Sequence, residues 1–153
     1  MFSDDYYIAR SEAERHAKAR GECFAASKHS YATNAKALAH TQSEEGHKHG
    51  DLMNAANERA VECIIRPQLL NAHDTIDLHG LFVKEAVAQT KAFVQGHTAR
   101  GLFKVLFIVT GAGHHSVVKE HSVVKEAIVL LAKESLWRME PDGHNPGKFH
   151  IFV

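Results

Sequence analysis

The apolar side chains follow different periods in the two halves of the chain. Residues 4–66 are dense in alanine and show no alternation of the strand type. Their clearest apolar stretch recurs about every 3.6 residues, which predicts an amphipathic helix. Gly46 and Gly50 precede it, and each is expected to cost the helix about 1 kcal/mol relative to alanine. The apolar positions of this stretch are Leu52, Ala55, Ala56, Ala60, Cys63 and Ile64.

Capping residues divide this helical region in two. Ser3 is suited to cap a first helix whose first turn is acidic, and that helix is expected to run to about Ser30. A turn is expected at residues 33–34. Pro67 is expected to end the second helix, because proline lacks the N–H of the helical ladder. The sequence therefore predicts a long antiparallel helical hairpin over residues 1–67.

The second half of the chain alternates between strand and helix patterns. Residues 75–79 alternate in polarity like a short strand, and residues 83–94 carry a helical stripe. Residues 103–109 are an almost unbroken apolar run, which is typical of a strand covered on both faces. A further helical stripe follows at residues 124–131. Two last strands are expected, at Leu136–Glu140 and Phe149–Val153.

This order of elements predicts a βαβαββ domain over residues 74–153. The first two strands are expected to be parallel and joined by a right-handed crossover. The last two are expected to form a hairpin across the turn-rich residues 141–147. The predicted fold class is α+β, a two-layer βαβαββ sandwich preceded by an α-helical hairpin.

Charge and composition exclude a broad surface for polyanions. The chain has 18 basic and 18 acidic residues, so a nucleic-acid site has to be local. No apolar run approaches the roughly 20 residues of a membrane span, so no membrane partner is expected. Cys23 and Cys63 are expected to lie far apart and to stay free thiols. Free thiols favour a reducing compartment, so a cytoplasmic location is expected, with the nucleus as the alternative.

Asp77 and His79 are the first candidates for chemistry. Side chains two apart on a strand point to the same face, so these two stand together while their neighbours enter the core. An aspartate beside a histidine can orient the imidazole for proton transfer. Gly80 then lets the chain turn away. The alternative for Asp77 and His79 is a purely structural pair bonded to nearby backbone.

The second candidate is the loop after the second parallel strand, residues 110–116. In open α/β sheets ligands bind at the carboxyl ends of the strands, and this loop ends at the same edge as Asp77 and His79. Its Thr-Gly-Ala-Gly stretch allows backbone N–H groups to approach an anion. The candidate phosphate contacts here are Gly80, Thr110, Gly111, Gly113, Ser116 and Lys119.

The hexamer HSVVKE occurs twice in succession, at His115–Glu120 and at His121–Glu126. At about 100° per residue, helical copies would point in different directions, so they do not predict one shared ligand face. A zinc site at His114 and His115 would need further cysteine or histidine at regular spacing, and none is present. No metal ligand and no cofactor are predicted. If a divalent cation takes part in the activity of the protein, it is expected to be non-essential for it.

The segments IDLHG (76–80) and TGAGHHS (110–116) together resemble the signature of the Smr, or small MutS-related, domain. The closing DGHNPGKFHIFV is similar to the final hairpin of that family, and residues 7–66 are similar to the helical extension of unknown function that often precedes it. The resemblance implies a fold like the C-terminal domain of bacterial translation initiation factor three. It also implies nucleic-acid binding and, in several members, endonuclease action. Its matched positions are Asp77 and His79 as the catalytic pair, and Thr110, Gly111, Gly113, His115 and Ser116 as the loop.

One position departs from the family pattern. The residue between the two loop glycines is often basic in the family, and here it is Ala112. A cation there would stabilise charge that develops during cleavage, and the loss of one such contact often lowers a rate by roughly 10²–10³. Lys119, His114 and Arg100 are the candidates to replace it. The departure puts efficient cleavage in doubt and leaves binding intact.

Three functions remain open from the sequence. In the first, the protein is an endonuclease that favours RNA over structured or nicked DNA, with His79 as base, Asp77 holding it and His115 as acid. In the second, it is a non-catalytic module that binds RNA or the ribosome. In the third, it is an adaptor whose helical hairpin binds another protein. Fold alone does not decide among them.

Overall fold

The computed structural model describes residues 1–70, 73–111 and 120–153, with backbone alone for 120–122. It divides the chain into two compact units, Met1–Arg66 and Pro67–Val153. Each unit is described by itself. In the described residues no helix is both long enough and apolar enough to cross a membrane.

The first unit is a pair of long helices, α1 (Asp4–Ala32) and α2 (Lys36–Leu69), whose last residues pass into the second unit. The Ser3 hydroxyl caps α1 by accepting a hydrogen bond from the N–H of Tyr6 at 3.3 Å. The chain reverses at Asn34, which takes a left-handed φ of 65° that asparagine tolerates well. The predicted helical hairpin is confirmed.

Small side chains let the two helices of the hairpin approach closely. Ala9 and Ala60 are buried at their contact, and the Ser27 hydroxyl donates to the carbonyl of Ala39 at 2.7 Å. Gly46 faces the ring of Phe24, and a Cβ there would lie 2.6 Å from a ring carbon. Gly46 is therefore a packing requirement of the hairpin as well as a weak point of the isolated helix.

The prediction that Pro67 ends the second helix is wrong. Pro67 lies inside α2, which continues to Leu69. Proline removes one helical hydrogen bond and crowds the preceding turn, so it ends the helix within a turn and not at its own position. The last turn also gains a partner outside the helix, because the Gln68 side chain is bonded to the backbone of Asp77.

In its described residues the second unit contains one four-stranded sheet and two helices. In chain order they are β1 (Thr75–Asp77), α3 (Val83–Arg100), β2 (Val105–Val109), α4 (Glu120–Glu134), β3 (Arg138–Pro141) and β4 (Lys148–Phe152). The strands lie in the order β1-β2-β4-β3. β1 and β2 are parallel, and the β2–β4 and β3–β4 pairs are antiparallel. The predicted α+β architecture, its βαβαββ order and its closing hairpin are confirmed.

One face of this sheet forms the core of the unit. Its side chains Leu106, Ile108 and Ile151 are fully buried, as is Ile128 of α4. The prediction that residues 103–109 form a strand covered on both faces is wrong. Burial alternates along β2, and Val105, Phe107 and Val109 are only half-buried. The run reads as continuous because the second face of β2 carries an aromatic and two valine side chains instead of polar ones.

Candidate functional site

Asp77 and His79 stand together at the carboxyl end of β1, as predicted. Their neighbours Ile76 and Leu78 are 3% and 2% exposed, so the backbone alternation leaves the two polar side chains on the accessible side. The side chains of His79 and Asp77 are 41% and 52% exposed. A solvent-accessible pair at a strand end can meet a substrate directly.

The Asp77 carboxylate holds His79 at two atoms. Its Oδ1 accepts the backbone N–H of His79 at 2.9 Å and is also hydrogen-bonded to Nδ1 of the imidazole. This fixes the direction of the ring and its tautomer, as an orienting carboxylate does in acid–base enzymes. Because Nδ1 is engaged by Asp77, proton exchange with a substrate would run through Nε2.

Gln68 secures the other side of Asp77, and sequence reasoning missed this residue. Its Nε2 donates to the Asp77 carbonyl at 2.9 Å, and its Oε1 accepts the Asp77 N–H at 2.7 Å. β1 is at the edge of the sheet formed by the described residues, so among them its outer backbone groups have no neighbouring strand to bond. The amide side chain replaces that strand at one residue. An amide nine residues before Asp77 carries no recognisable sequence signal.

Gly80 makes the turn that separates β1 from α3. Its φ is 81°, a left-handed conformation that favours glycine. The N–H of Leu81 donates to the Leu78 carbonyl at 3.2 Å, which closes the turn. The helix then begins with the N–H of Phe82 bonded to the Glu85 carboxylate at 2.8 Å. The turn beside the Asp77–His79 pair thus favours glycine at position 80, because it needs a left-handed φ.

The start of the second candidate loop lies beside the pair, as predicted. Asp77 is in register with Val109, and the N–H of Leu78 donates to the Val109 carbonyl at 2.9 Å. Thr110 and Gly111 follow directly, and Gly111 has a φ of 89° that suits glycine. The described part of the loop therefore leaves the sheet next to His79.

Thr110 is anchored in the protein interior. Its side chain is 1% exposed, its N–H donates to the Gly147 carbonyl at 2.7 Å, and its hydroxyl is bonded to the same oxygen at 3.2 Å. These bonds connect the first residue of the loop to the turn between β3 and β4. Both donors of Thr110 are thus bonded to the Gly147 carbonyl, so Thr110 anchors the start of the loop, and its predicted phosphate contact stays a prediction.

Several predicted site residues lie outside the described residues. They are Gly113, His115, Ser116 and Lys119, together with Ala112 and His114. Of the candidates to replace a cation at Ala112, only Arg100 is described. It ends α3, which starts near Asp77 and spans 18 residues. At 1.5 Å per residue, Arg100 lies about 27 Å along α3 from the helix start near Asp77.

The turn between β3 and β4 contains a second aspartate–histidine pair that sequence reasoning missed. Asp142 accepts a hydrogen bond from His150 Nε2 at 2.8 Å and from the N–H groups of His144 and Asn145 at 2.9 Å each. The bond to His150, followed by the two N–H groups, holds the pKa of the Asp142 carboxyl well below its usual range. The side chain is only 17% exposed. Because this pair is largely enclosed, it stabilises the turn that carries Gly147.

The described residues contain no group of three or more histidine, cysteine, aspartate or glutamate side chains suited to a metal ion. Both cysteines are free thiols. At the carboxyl end of β1 the described groups include the His79 imidazole, the Asp77 carboxylate and backbone N–H groups. Such a set can move a proton and can approach an anion.

Comparison with known proteins divides the chain at the same region as its fold. Residues 6–68 match the model of a domain of unknown function, DUF1771, and residues 76–139 match the model of the Smr domain. An Smr domain-containing protein of Schizosaccharomyces pombe is 31% identical over 151 residues, which cover 98% of this chain and 72% of that protein. A polyadenylate-binding protein-interacting protein of Arabidopsis thaliana is 34% identical over 122 residues, which cover 72% of this chain and 22% of that protein. No solved structure matches the chain significantly.

Proposed function

Because this chain belongs to the Smr domain-containing proteins, with a DUF1771 domain before a domain of a nucleic-acid-binding family, we propose that it is an endonuclease acting on RNA. The observation that carries the proposal is the Asp77–His79 pair, which is exposed, internally oriented and placed beside the root of the second candidate loop. A histidine held by a carboxylate is suited to act as a general base.

The proposed reaction is an internal transesterification. His79 Nε2 takes the proton of a ribose 2′-hydroxyl, and the 2′-oxygen forms a bond to the adjacent phosphorus. The bond from phosphorus to the 5′-oxygen of the next nucleotide breaks, and His115 is the proposed donor of a proton to that leaving oxygen. The products are a 2′,3′-cyclic phosphate and a 5′-hydroxyl. Asp77 stabilises the imidazolium that forms on His79.

The phosphate would be held by backbone N–H groups of the loop that starts at Thr110, with Gly80, Gly113, Ser116 and Lys119 as the remaining proposed contacts. The structure adds Lys148 as a candidate cation. Lys148 is in register with Val109, which is in turn in register with Asp77. Strands lie about 4.8 Å apart, so the Cα atoms of Asp77 and Lys148 are roughly 10 Å apart, within reach of a lysine side chain and a phosphate between them.

No resident cofactor enters the proposed reaction, and a divalent cation would have a supporting role at most. A two-metal mechanism usually relies on several convergent carboxylates. The Asp77–His79 pair supplies a single carboxylate, and that carboxylate is already bonded to His79. We propose a cytoplasmic location, with the nucleus as the alternative, because both cysteines are free thiols.

The alternative function is a non-catalytic module that binds RNA or the ribosome. Ala112 favours it, because the loop lacks the basic residue that would stabilise charge in cleavage. One relative is named as interacting with polyadenylate-binding protein, which raises a protein-binding role for the helical hairpin of this chain. In that case salt-dependent binding without cleavage would be observed.

The test is incubation of the pure chain with end-labelled structured RNA, with and without EDTA. Cleavage is expected to survive EDTA, to be lost in His79→Ala and to be unchanged in His40→Ala. His40 is a matched control, because its side chain is 77% exposed on α2. RNA that is bound by the wild type but left intact would favour the non-catalytic alternative. Cleavage that is unchanged in His79→Ala would exclude the proposed reaction.

A further inference from the structure

The half-buried face of the sheet carries a group of aromatic and basic side chains, of which the proposed reaction uses only Lys148. Burial alternates along β2 and β4, so Phe107 and Phe152 point away from the core. Lys148 and His150 point the same way from β4. Arg138 is in register with Phe152 on the neighbouring strand. We call the surface formed by Phe107, Arg138, Lys148, His150 and Phe152 the aromatic face.

The aromatic face is continuous with the Asp77–His79 pair. Ile76 and Ile108 are in register and both are buried, so Asp77 emerges on the same side of the sheet as Phe107. Thr75 is in register with Phe107, and Val105 with Phe152. Asp77, Phe107 and Phe152 therefore lie on a diagonal line, and each step crosses one strand and moves two residues along. Each step is about 8 Å between Cα atoms.

Cations cover the two rings of this line. Lys148 Nζ lies 4.4 Å from the centroid of the Phe107 ring, and the Arg138 guanidinium carbon lies 4.5 Å from that of Phe152. His150 packs edge-on against Phe107, with ring centroids 4.9 Å apart and an interplanar angle of 82°. The rings are thus held in fixed positions, and their outer faces are occupied by long side chains that can move aside.

We propose that the aromatic face binds single-stranded RNA and leads it to the Asp77–His79 pair. Successive bases would stack on Phe107 and Phe152, and the cations that now lie over the rings would turn to the phosphates. This exchange is favourable because a base stacked on an aromatic ring is worth more than a cation over a ring at an exposed site. The inference rests on the proposed function for the position of cleavage and is independent of it for binding.

The carboxylates beside the aromatic face already have partners. Glu140 is paired with Arg138 at 2.8 Å, and Asp142 with His150 at 2.8 Å, so both carboxylates have cationic or hydrogen-bonding partners within the sheet. Lys148 lies over a ring. Stacking also selects unpaired bases, because a duplex buries its base faces in its own stack. A partner with both unpaired bases and phosphates, single-stranded RNA, fits this surface better than a protein strand, which offers neither.

The test is fluorescence anisotropy of the full chain with a labelled 2′-O-methyl oligouridine of about ten nucleotides, which lacks the reactive hydroxyl and reports binding alone. Phe107→Leu and Phe152→Leu are expected to weaken binding by roughly 5- to 100-fold each. Phe107→Tyr, which keeps the ring, is expected to bind within about twofold of the wild type. Lys148→Gln is expected to reduce the slope of log affinity against log salt by about 0.7.

Two matched controls separate this surface from general effects. Phe103→Leu removes a half-buried ring that packs against His97 of α3 and not on the aromatic face. Lys133→Gln removes an exposed lysine of α4. Both are expected to leave binding unchanged. Leucine variants that bind as the wild type does would overturn the inference, as would a duplex of the same length bound as tightly as the single strand.

The two proposals fail in different ways. A wild type that binds the oligonucleotide through Phe107 and Phe152 but cleaves no RNA would contradict the proposed nuclease activity and support RNA binding by the aromatic face. The opposite outcome is a wild type that cleaves RNA through His79 while the Phe107→Leu and Phe152→Leu variants keep full affinity. It would contradict RNA binding by the aromatic face and support the nuclease activity. A wild type with no affinity for the oligonucleotide would also exclude the aromatic face.

Discussion

The bond between the Gln68 side chain and the edge of β1 leads to a specific prediction for Gln68→Ala. The substitution removes the acceptor of the Asp77 N–H at 2.7 Å and the donor to the Asp77 carbonyl at 2.9 Å. Both backbone groups are at a solvent-accessible edge, so water can replace the lost partners. The cost is therefore expected at the low end for hydrogen bonds, about 0.5 kcal/mol for each and about 1 kcal/mol in total.

The effect should appear first in the protection of one amide. The Asp77 N–H is held by a side chain and not by a strand, so its hydrogen exchange reports the Gln68 contact directly. A loss of about 1 kcal/mol corresponds to exchange roughly 5-fold faster at Asp77, as measured by NMR. The amide of Leu78, which donates to the Val109 carbonyl, should change less.

The control for this experiment is Gln95→Ala, which truncates an exposed glutamine of α3 and should leave the Asp77 amide unchanged. If Gln68→Ala exchanges at Asp77 at the wild-type rate, the side chain does not hold the strand end, and the explanation given for the fixed position of Asp77 is incorrect. A loss of RNA cleavage without faster exchange would instead point to a direct role of Gln68 with the substrate.

Three further predictions concern stability. Gly46→Ala is expected to lower the unfolding temperature, by a cost of about 1–3 kcal/mol from the clash with the Phe24 ring, whereas Gly21→Ala, which meets no atom within 4 Å, should raise it through helix propensity. Thr110→Val should destabilise by about 1 kcal/mol, as read from denaturant unfolding, because the Gly147 carbonyl loses one donor. Asp142→Asn should destabilise at neutral pH. Because the folded state lowers the pKa of this carboxyl, its contribution is present above the ordinary value of 3.8 and is lost as the pH falls below it. Thermal unfolding of the two proteins should therefore converge in acid, and a constant difference down to low pH would contradict the assignment.

The architecture could be predicted from the sequence because apolar side chains recur at different intervals in the two halves of the chain. The alanine-rich 3.6-residue stripe can bury one narrow face of a helix, and the polar–apolar alternation at residues 75–79 places Asp77 and His79 on the same side of the chain at the end of β1. Local patterns of this kind are carried by neighbouring residues. They therefore predict the elements of the fold and the pair at the end of β1.

The two errors in the fold have a common cause. A proline signals the loss of a helical hydrogen bond, but the point at which the helix ends depends on what the last turn can contact, here Asp77. An apolar run signals burial, but only the register with neighbouring strands shows that Phe107 belongs to the half-buried face. Both depend on partners that are distant in the sequence.

The parts of the site that sequence reasoning missed are also those made by distant contacts. Gln68 reaches Asp77 across nine residues, His150 reaches Asp142 across eight, and Thr110 reaches Gly147 across 37. None of these residue types is unusual at its position. Local sequence patterns identify the catalytic candidates. Contacts between residues distant in the sequence determine which other residues hold those candidates in place.

The most direct test of the central claim is cleavage of an RNA with a single 2′-deoxyribose at the mapped cleavage site. If His79, oriented by Asp77, activates the 2′-hydroxyl, the substituted RNA should be bound with wild-type affinity and left intact at that position. The unsubstituted RNA should yield a 2′,3′-cyclic phosphate. Cleavage of the 2′-deoxy substrate at an undiminished rate would show that water attacks the phosphate, and it would contradict the mechanism proposed for this pair.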